Sequence, residues 1–237
     1  MQKRLIGLIA SLCLLLAATA YPVNALVIFS DEFERKELGL DWAVVKGIWT
    51  IESGELNADG VEGLLASGLY LTDFSVQVSM KIVESAGQYY DWVGIVARAT
   101  NPNDDIWTSG YLVYLREDGR IELYTLVDGT IASANTGVDT SSFVTVRADF
   151  FGSNIKVYVK DVLYIDADDS RYSAGYFSLK NYVTQGHFDD VIVENPVPLP
   201  PNVVPEPAPI IISLLFIAVF ATYALIRHRK PSFEKIM

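Results

Sequence analysis

The sequence predicts an all-β fold, a two-sheet antiparallel β-sandwich of the jelly-roll kind, followed by one membrane-spanning helix. Three observations predict it. Phe74–Ile82 alternates apolar and polar residues over nine positions, and Phe143–Phe151 and Ile155–Lys160 alternate too, as half-buried strands do because successive side chains point to opposite faces. Asp118-Gly119, Asp128-Gly129 and Gly152-Ser153 punctuate these runs with turn signals. Outside two apolar runs at the chain ends, no stretch carries a long helical period.

The first terminal run is read as a secretory signal over residues 1–25. Lys3 and Arg4 form a basic start, Leu5–Leu16 is apolar, and Ala18-Thr19-Ala20 and Val23-Asn24-Ala25 are two cleavage candidates. The alternative is an uncleaved N-terminal anchor, which the short apolar stretch disfavours. The single cysteine, Cys13, lies inside the signal. Leu12 stands where lipidation requires a small residue, so a lipoprotein is rejected and the mature domain is expected to hold no disulfide. Its stability must then come from a hydrophobic core, which a domain of about 170 residues can supply.

Residues 26–194 form the predicted sandwich. Its first strands are Val27–Phe33, Ile48–Glu52 and Glu55–Ala58, and its last is His187–Glu194. First and last strands are expected to pair or to neighbour one another. Tyr111–Ala134 reads as strand, Asp-Gly turn, strand, Asp-Gly turn, strand, which is a β-meander. In the last strand Phe188 and Val191 stand on opposite phases of the alternation, so burying both requires a bulge. This region carries 12 Lys and Arg against 27 Asp and Glu, a surface that repels nucleic acid and anionic headgroups.

Residues 195–207 are a Pro-rich linker: seven of the ten prolines fall between Asn195 and Pro209, an extended spacer about 40 Å long at ~3.1 Å per residue. Residues 208–226 are uncharged and long enough to span a bilayer, and Arg227, His228, Arg229 and Lys230 open a basic tail over 227–237. The tail is expected in the cytoplasm and the body on the extracellular face of the cell envelope.

Several segments resemble a known family. Phe29-Ser-Asp-Glu-Phe33, Leu40-Asp41-Trp42, Ile48-Trp49, Gly54-Glu55-Leu56, the hairpin from Ser153 through Val162-Leu163, and Phe188-Asp189-Asp190-Val191 resemble, in that order, the concanavalin A-like lectin/glucanase and laminin-G-like jelly rolls. The hairpin departs from the family at Lys160-Asp161, where Asp-Gly is usual. The resemblance implies the fold over about residues 28–194. In the glucanases it also implies Glu-x-Asp-x-x-Glu on one concave strand, a nucleophile and an acid about 5–5.5 Å apart. The strands expected to hold that pattern, Trp92–Arg98 and Tyr111–Arg116, contain no acid, and Glu117, Asp118 and Glu122 have the wrong spacing. The domain has no cysteine, His187 is its lone histidine, and no Gly-x-Ser-x-Gly or phosphate loop occurs.

Two sites are expected in the domain. Tyr90, Asp91 and Trp92 on one side and Trp107 and Tyr111 on the other flank a polar loop, Asn101–Asp105, and Arg98 and Arg116 add donors on the same sheet. Aromatic stacking surfaces beside carboxylates and guanidinium groups suit carbohydrate; the alternative for each aromatic is an ordinary core or rim position. The family resemblance further implies a structural calcium held by Glu32, Gly54 and Asp189, with Asp31 as a further ligand, because calcium takes carboxylate and carbonyl oxygens in flexible geometry. At the C-terminus, Pro205-Glu206-Pro207 before the apolar span and basic cluster resembles the PEP-type sorting signal, which implies recognition by an exosortase or archaeosortase. An ordinary single-pass anchor is the alternative. Three functions follow as expectations: a non-catalytic surface protein binding glycan or matrix polysaccharide, a glycan-active hydrolase or lyase with an atypical site, and a structural envelope component.

Overall fold

The computed structural model describes residues 25–85, 91–103 and 109–196, and every regular element among them is a strand. In chain order these are β1 (Ala25–Asp31), β2 (Ala43–Glu52), β3 (Glu55–Leu71), β4 (Phe74–Ser85), β5 (Trp92–Ala99), β6 (Tyr111–Arg116), β7 (Arg120–Thr125), β8 (Gly129–Asn135), β9 (Val144–Phe151), β10 (Asn154–Val159), β11 (Val162–Asp168), β12 (Gly175–Tyr182) and β13 (Thr184–Pro196). The signal peptide, the membrane-spanning helix at 208–226, the basic tail and the sorting motif at Pro205, Glu206 and Pro207 lie outside the described residues. The expected linker loses its first two residues to β13, because Asn195 and Pro196 still pair with β1.

The strands run β11-β10-β9-β4-β13-β3-β12-β5-β6-β7-β8, with β1 on β13 and β2 on β3, and every pairing is antiparallel. β3 passes between the layers. Its start pairs with Gly186–Phe188 of β13, and its remainder, from Glu62, pairs with β12. One layer is therefore built on β4, β9, β10, β11 and β13, the other on β5, β6, β7, β8 and β12.

Alternation fills the space between them. On β9, Val144, Val146, Ala148 and Phe150 point inward, and on β10 Ile155, Val157 and Val159 do. They meet Val93, Ile95, Val113, Leu115, Ile121, Leu123 and Leu179 of the other layer in one core. Phe74 stacks on Phe150 at 5.0 Å and Tyr111 reaches the same ring at 6.0 Å. Burial of each large apolar side chain contributes about 1.5–3 kcal/mol, so a core of this extent needs no disulfide.

Three sequence expectations appear as drawn. β1 pairs with the end of β13, joining the domain's first and last strands. β6, β7 and β8 form the meander. Phe188 and Val191 are both fully buried, and the register slips between Asp189 and Ile192, where Asp190 takes a positive φ of 48°. The bulge re-phases the strand so that both residues face the core.

Candidate functional site

β5 and β6 are buried on both faces. Their outward-pointing residues Trp92, Val96, Ala99, Leu112 and Tyr114 form a second apolar cluster with Leu64 of β3, bordered by Val45, Tyr124, Tyr176 and Tyr182. Strand register arranges this face in rows. The first row reads Glu62, Tyr182, Trp92, Arg116, and the second Leu64, Lys180, Gly94, Tyr114, Glu122. Trp92 lies between two tyrosines, stacked on Tyr182 at 5.6 Å and tilted against Tyr114 at 5.0 Å.

Charged pairs bracket this aromatic band. On one side the fully buried Lys180 holds Glu62 at 2.8 Å, and Lys46 pairs with the same carboxylate. On the other, Glu122 accepts from Tyr114 Oη at 2.7 Å, from Thr130 Oγ1 at 3.1 Å and from Arg116 at 3.3 Å. Burial, reinforced by the Glu122 carboxylate, pushes the Tyr114 phenol well above its ordinary range, so at physiological pH it is a fixed donor. Glu62 and Glu122 stand on strands four positions apart, roughly 19 Å at about 4.8 Å per strand. Paired glycosidase carboxylates sit at about 5–9.5 Å.

The structure brings Asp91, Trp92 and Arg116 together. Trp92 lies opposite Arg116, and the Asp91 carbonyl accepts the Glu117 N–H at 3.1 Å. Tyr90, Asp105 and Trp107 fall outside the described residues. Arg98 and Tyr111 are corrections. Alternation from Trp92 would put Arg98 on the outer face, but an extra residue bulges β5 opposite Tyr176–Ser178, and Arg98 has a φ of 55°. Its side chain turns inward, 0% exposed, and donates to the carbonyls of Thr72, Gly152 and Tyr172 at 2.8–3.1 Å. Tyr111 faces the core as well. Its hydroxyl donates to Asp169 Oδ1 at 2.6 Å, and burial, helped by that carboxylate, raises its pKa to about 12.

The calcium expectation falls on a corner where three segments converge. Ser53 and Gly54 (φ 58° and 80°) form the tight turn from β2 to β3, the geometry a two-residue hairpin needs. A Cβ on Gly54 would stand 3.0 Å from the Glu34 carboxylate. Burial raises the pKa of Asp189, and the charges of Asp190, Glu55 and Glu34 add to it, against one hydrogen bond from the Asp190 N–H. Glu32, one residue before the positive-φ turn at Phe33, is exposed. Glu55 in this corner is already engaged by Lys81 at 2.8 Å and by His187 at 2.7 Å. Among the described residues no group of three or more His, Cys, Asp or Glu side chains is arranged to hold a metal, so such a site would draw on main-chain oxygens as well. Asp31 is not available to it. Its oxygens accept from Arg35 at 2.5 and 2.7 Å, from Trp42 Nε1 at 2.7 Å and from the Phe33 N–H at 2.9 Å.

Sequence reading missed Tyr182, Lys180 and Glu62, which meet only through pairing of β3 with β12, and Tyr114, which shares the outward phase of β6 with Arg116. That shared phase was a usable signal.

No family model matches the chain. A levanase from Bacillus subtilis (strain 168) is 27% identical over 160 residues, 65% of this chain. The chain spans only 23% of that protein's length. Among solved structures, the carbohydrate-binding module CBM66 from Bacillus subtilis matches 65% of this chain and 96% of its own, with a TM-score of 0.58 and 21% identity. The catalytic domain of an endo-1,3-β-glucanase (laminarinase) from Thermotoga petrophila RKU-1 matches 74% of this chain and 99% of its own, with a TM-score of 0.56 and 12% identity. The carbohydrate recognition domain of Emp47p matches 76% and 100%, with a TM-score of 0.55 and 15% identity. The fold is the concanavalin A-like lectin/glucanase jelly roll.

Proposed function

We propose that the chain is a non-catalytic surface protein whose jelly roll binds polysaccharide, held at the cell exterior through its C-terminus. The observation that carries this is the band Tyr182–Trp92–Tyr114, bracketed by Glu62–Lys180 and Arg116–Glu122, on the outer face of one sheet. Trp92 and Tyr114, 6% and 7% exposed, back the half-buried rim rings Tyr182, Tyr124 and Tyr176, which offer the stacking surface that orients a polar ligand with apolar patches. Relatives named as a carbohydrate-binding module and a carbohydrate recognition domain support the reading. The separation of Glu62 from Glu122 disfavours a two-carboxylate hydrolase built on these residues.

The full-length chain should be retarded by levan or laminarin in affinity electrophoresis and should release no reducing sugar from either. Failure to bind these or any glycan on an array would overturn the reading. Reducing-sugar release abolished by Glu122→Gln would replace it with the enzymatic one. Mass spectrometry of the mature C-terminus tests the tether: a chain ending near Pro207 supports sorting, and an intact Met237 supports a plain anchor.

We propose in addition a structural calcium held by main-chain oxygens at Glu32 and Gly54 and by the Asp189 carboxylate. The thermal midpoint should then rise in millimolar calcium and fall in chelator, since a ligand bound only by the native state at a hundred times its Kd adds about 2.7 kcal/mol. Asp189→Asn should lose most of that response. Equal midpoints in calcium and chelator would remove the cation.

A further inference from the structure

We infer that Tyr70 and Tyr176 form a stacking subsite for a neutral sugar ring at one end of the same sheet face; this rests on the polysaccharide-binding reading above. The two residues are direct cross-strand partners on β3 and β12. Their rings meet edge to face, with centroids 5.2 Å apart and planes at 79°. Tyr176 packs against the apolar cluster of the face, whereas Tyr70 is 61% exposed.

Both strands beside Tyr176 depart from regular pairing at this place. Between the partners of Tyr176 and Ser178, β5 inserts one extra residue and β3 inserts two. The β3 insertion runs through Ser67, Gly68 and Leu69. Gly68 has a φ of 71°, and Ser67 Oγ fastens the loop by donating to the Phe177 carbonyl at 2.9 Å and accepting the Leu69 N–H at 3.3 Å. Bulges re-aim side chains and cluster beside functional sites. Here a specifically hydrogen-bonded bulge delivers a large aromatic ring to the surface beside a second ring. Neither tyrosine hydroxyl is hydrogen-bonded to another described residue, unlike Tyr111 and Tyr114, so both are placed to bond sugar hydroxyls.

The charge pattern selects the class of sugar. The domain carries 12 basic against 27 acidic residues, and Lys46, Lys180 and Arg116 on this face already pair with Glu62 and Glu122. An anionic chain of uronate or sulfate groups would meet net repulsion, whereas a neutral ring stacks without it.

The test measures binding of the full-length wild type and of Tyr70→Ala, Tyr70→Phe and Tyr176→Phe to levan and laminarin as neutral probes and to polygalacturonate as the anionic one, with thermal midpoints alongside. Expected are wild-type binding to a neutral probe that changes little with salt, a loss of about tenfold in affinity for Tyr70→Ala at an unchanged midpoint, and smaller losses, about threefold, in Tyr70→Phe and Tyr176→Phe, which keep the rings and lose one hydroxyl each. Wild-type binding to a neutral probe that Tyr70→Ala leaves intact would overturn the subsite while the binding reading stands. Wild-type binding to polygalacturonate alone would overturn the neutral class. Binding to none of the three would overturn the subsite together with the reading on which it rests.

Discussion

Replacing Arg98 with methionine should lower the unfolding free energy by about 3–4 kcal/mol, because a buried charge-assisted network is lost and its acceptors are left without donors. The guanidinium closes three turns at once. It donates to Thr72 O between β3 and β4, to Gly152 O between β9 and β10, and to Tyr172 O ahead of β12. Its plane also lies 5.4 Å from the Phe150 ring centroid. Asp73, half exposed, is 3.5 Å from the guanidinium and takes the Gly152 N–H at 2.8 Å, so it holds one of the same turns. Burial draws the Arg98 pKa downward against the pull of Asp73 and Tyr111, yet a guanidinium stays charged, so its cost of burial is met only by these bonds. Arg98→Lys should recover little, since a single ammonium cannot span the carbonyls that a planar fork reaches. Urea unfolding with an unchanged m-value measures the loss. A change below about 1 kcal/mol would show that the turns close without the guanidinium.

Arg98 also shows where the sequence stopped being legible. Alternation located the strands because most have one buried face: β9 and β10 read directly as inside and outside positions. It even located the bulge in β13, since Phe188 and Val191 could not both be buried otherwise. On β5 and β6, however, both faces are apolar, so the phase carries no contrast, and a bulge beside Arg98 inverts it with no composition signal. Tyr111 and Tyr114 illustrate the same difficulty three residues apart. One is a core residue bonded to Asp169, the other an outer-face residue bonded to Glu122. The charged bracket was hidden for a different reason. Glu62 and Lys180 are 118 residues apart, and only the crossing of β3 into the second layer makes them neighbours.

Asp31→Ala should cost about 3 kcal/mol, and Asp31→Asn should alter the acid limb of the stability profile. Asp31 gathers four donors at the end of β1: the Phe33 N–H, both terminal nitrogens of Arg35 and the Trp42 indole. Trp42 in turn packs on Phe29, Phe33 and Phe177, so the carboxylate ties the first loop to the core. Alanine leaves a buried indole N–H and a buried amide without acceptors, at about 1–3 kcal/mol each. Burial alone would raise the Asp31 pKa, but bonds from Arg35, Trp42 and Phe33 outweigh it and the net shift is downward. A carboxylate whose folded pKa lies below its unfolded value of about 3.9 contributes fully above that value and is lost as pH falls through the folded pKa. The wild type should therefore lose stability below about pH 4, and Asp31→Asn should lose less over the same interval while starting lower. Equal slopes would place the acid sensitivity elsewhere. The same variant also separates Asp31 from the cation. With its oxygens committed to Arg35, Trp42 and Phe33, Asp31→Asn should keep the calcium response that Asp189→Asn loses. A variant that loses it would return Asp31 to the ligand set.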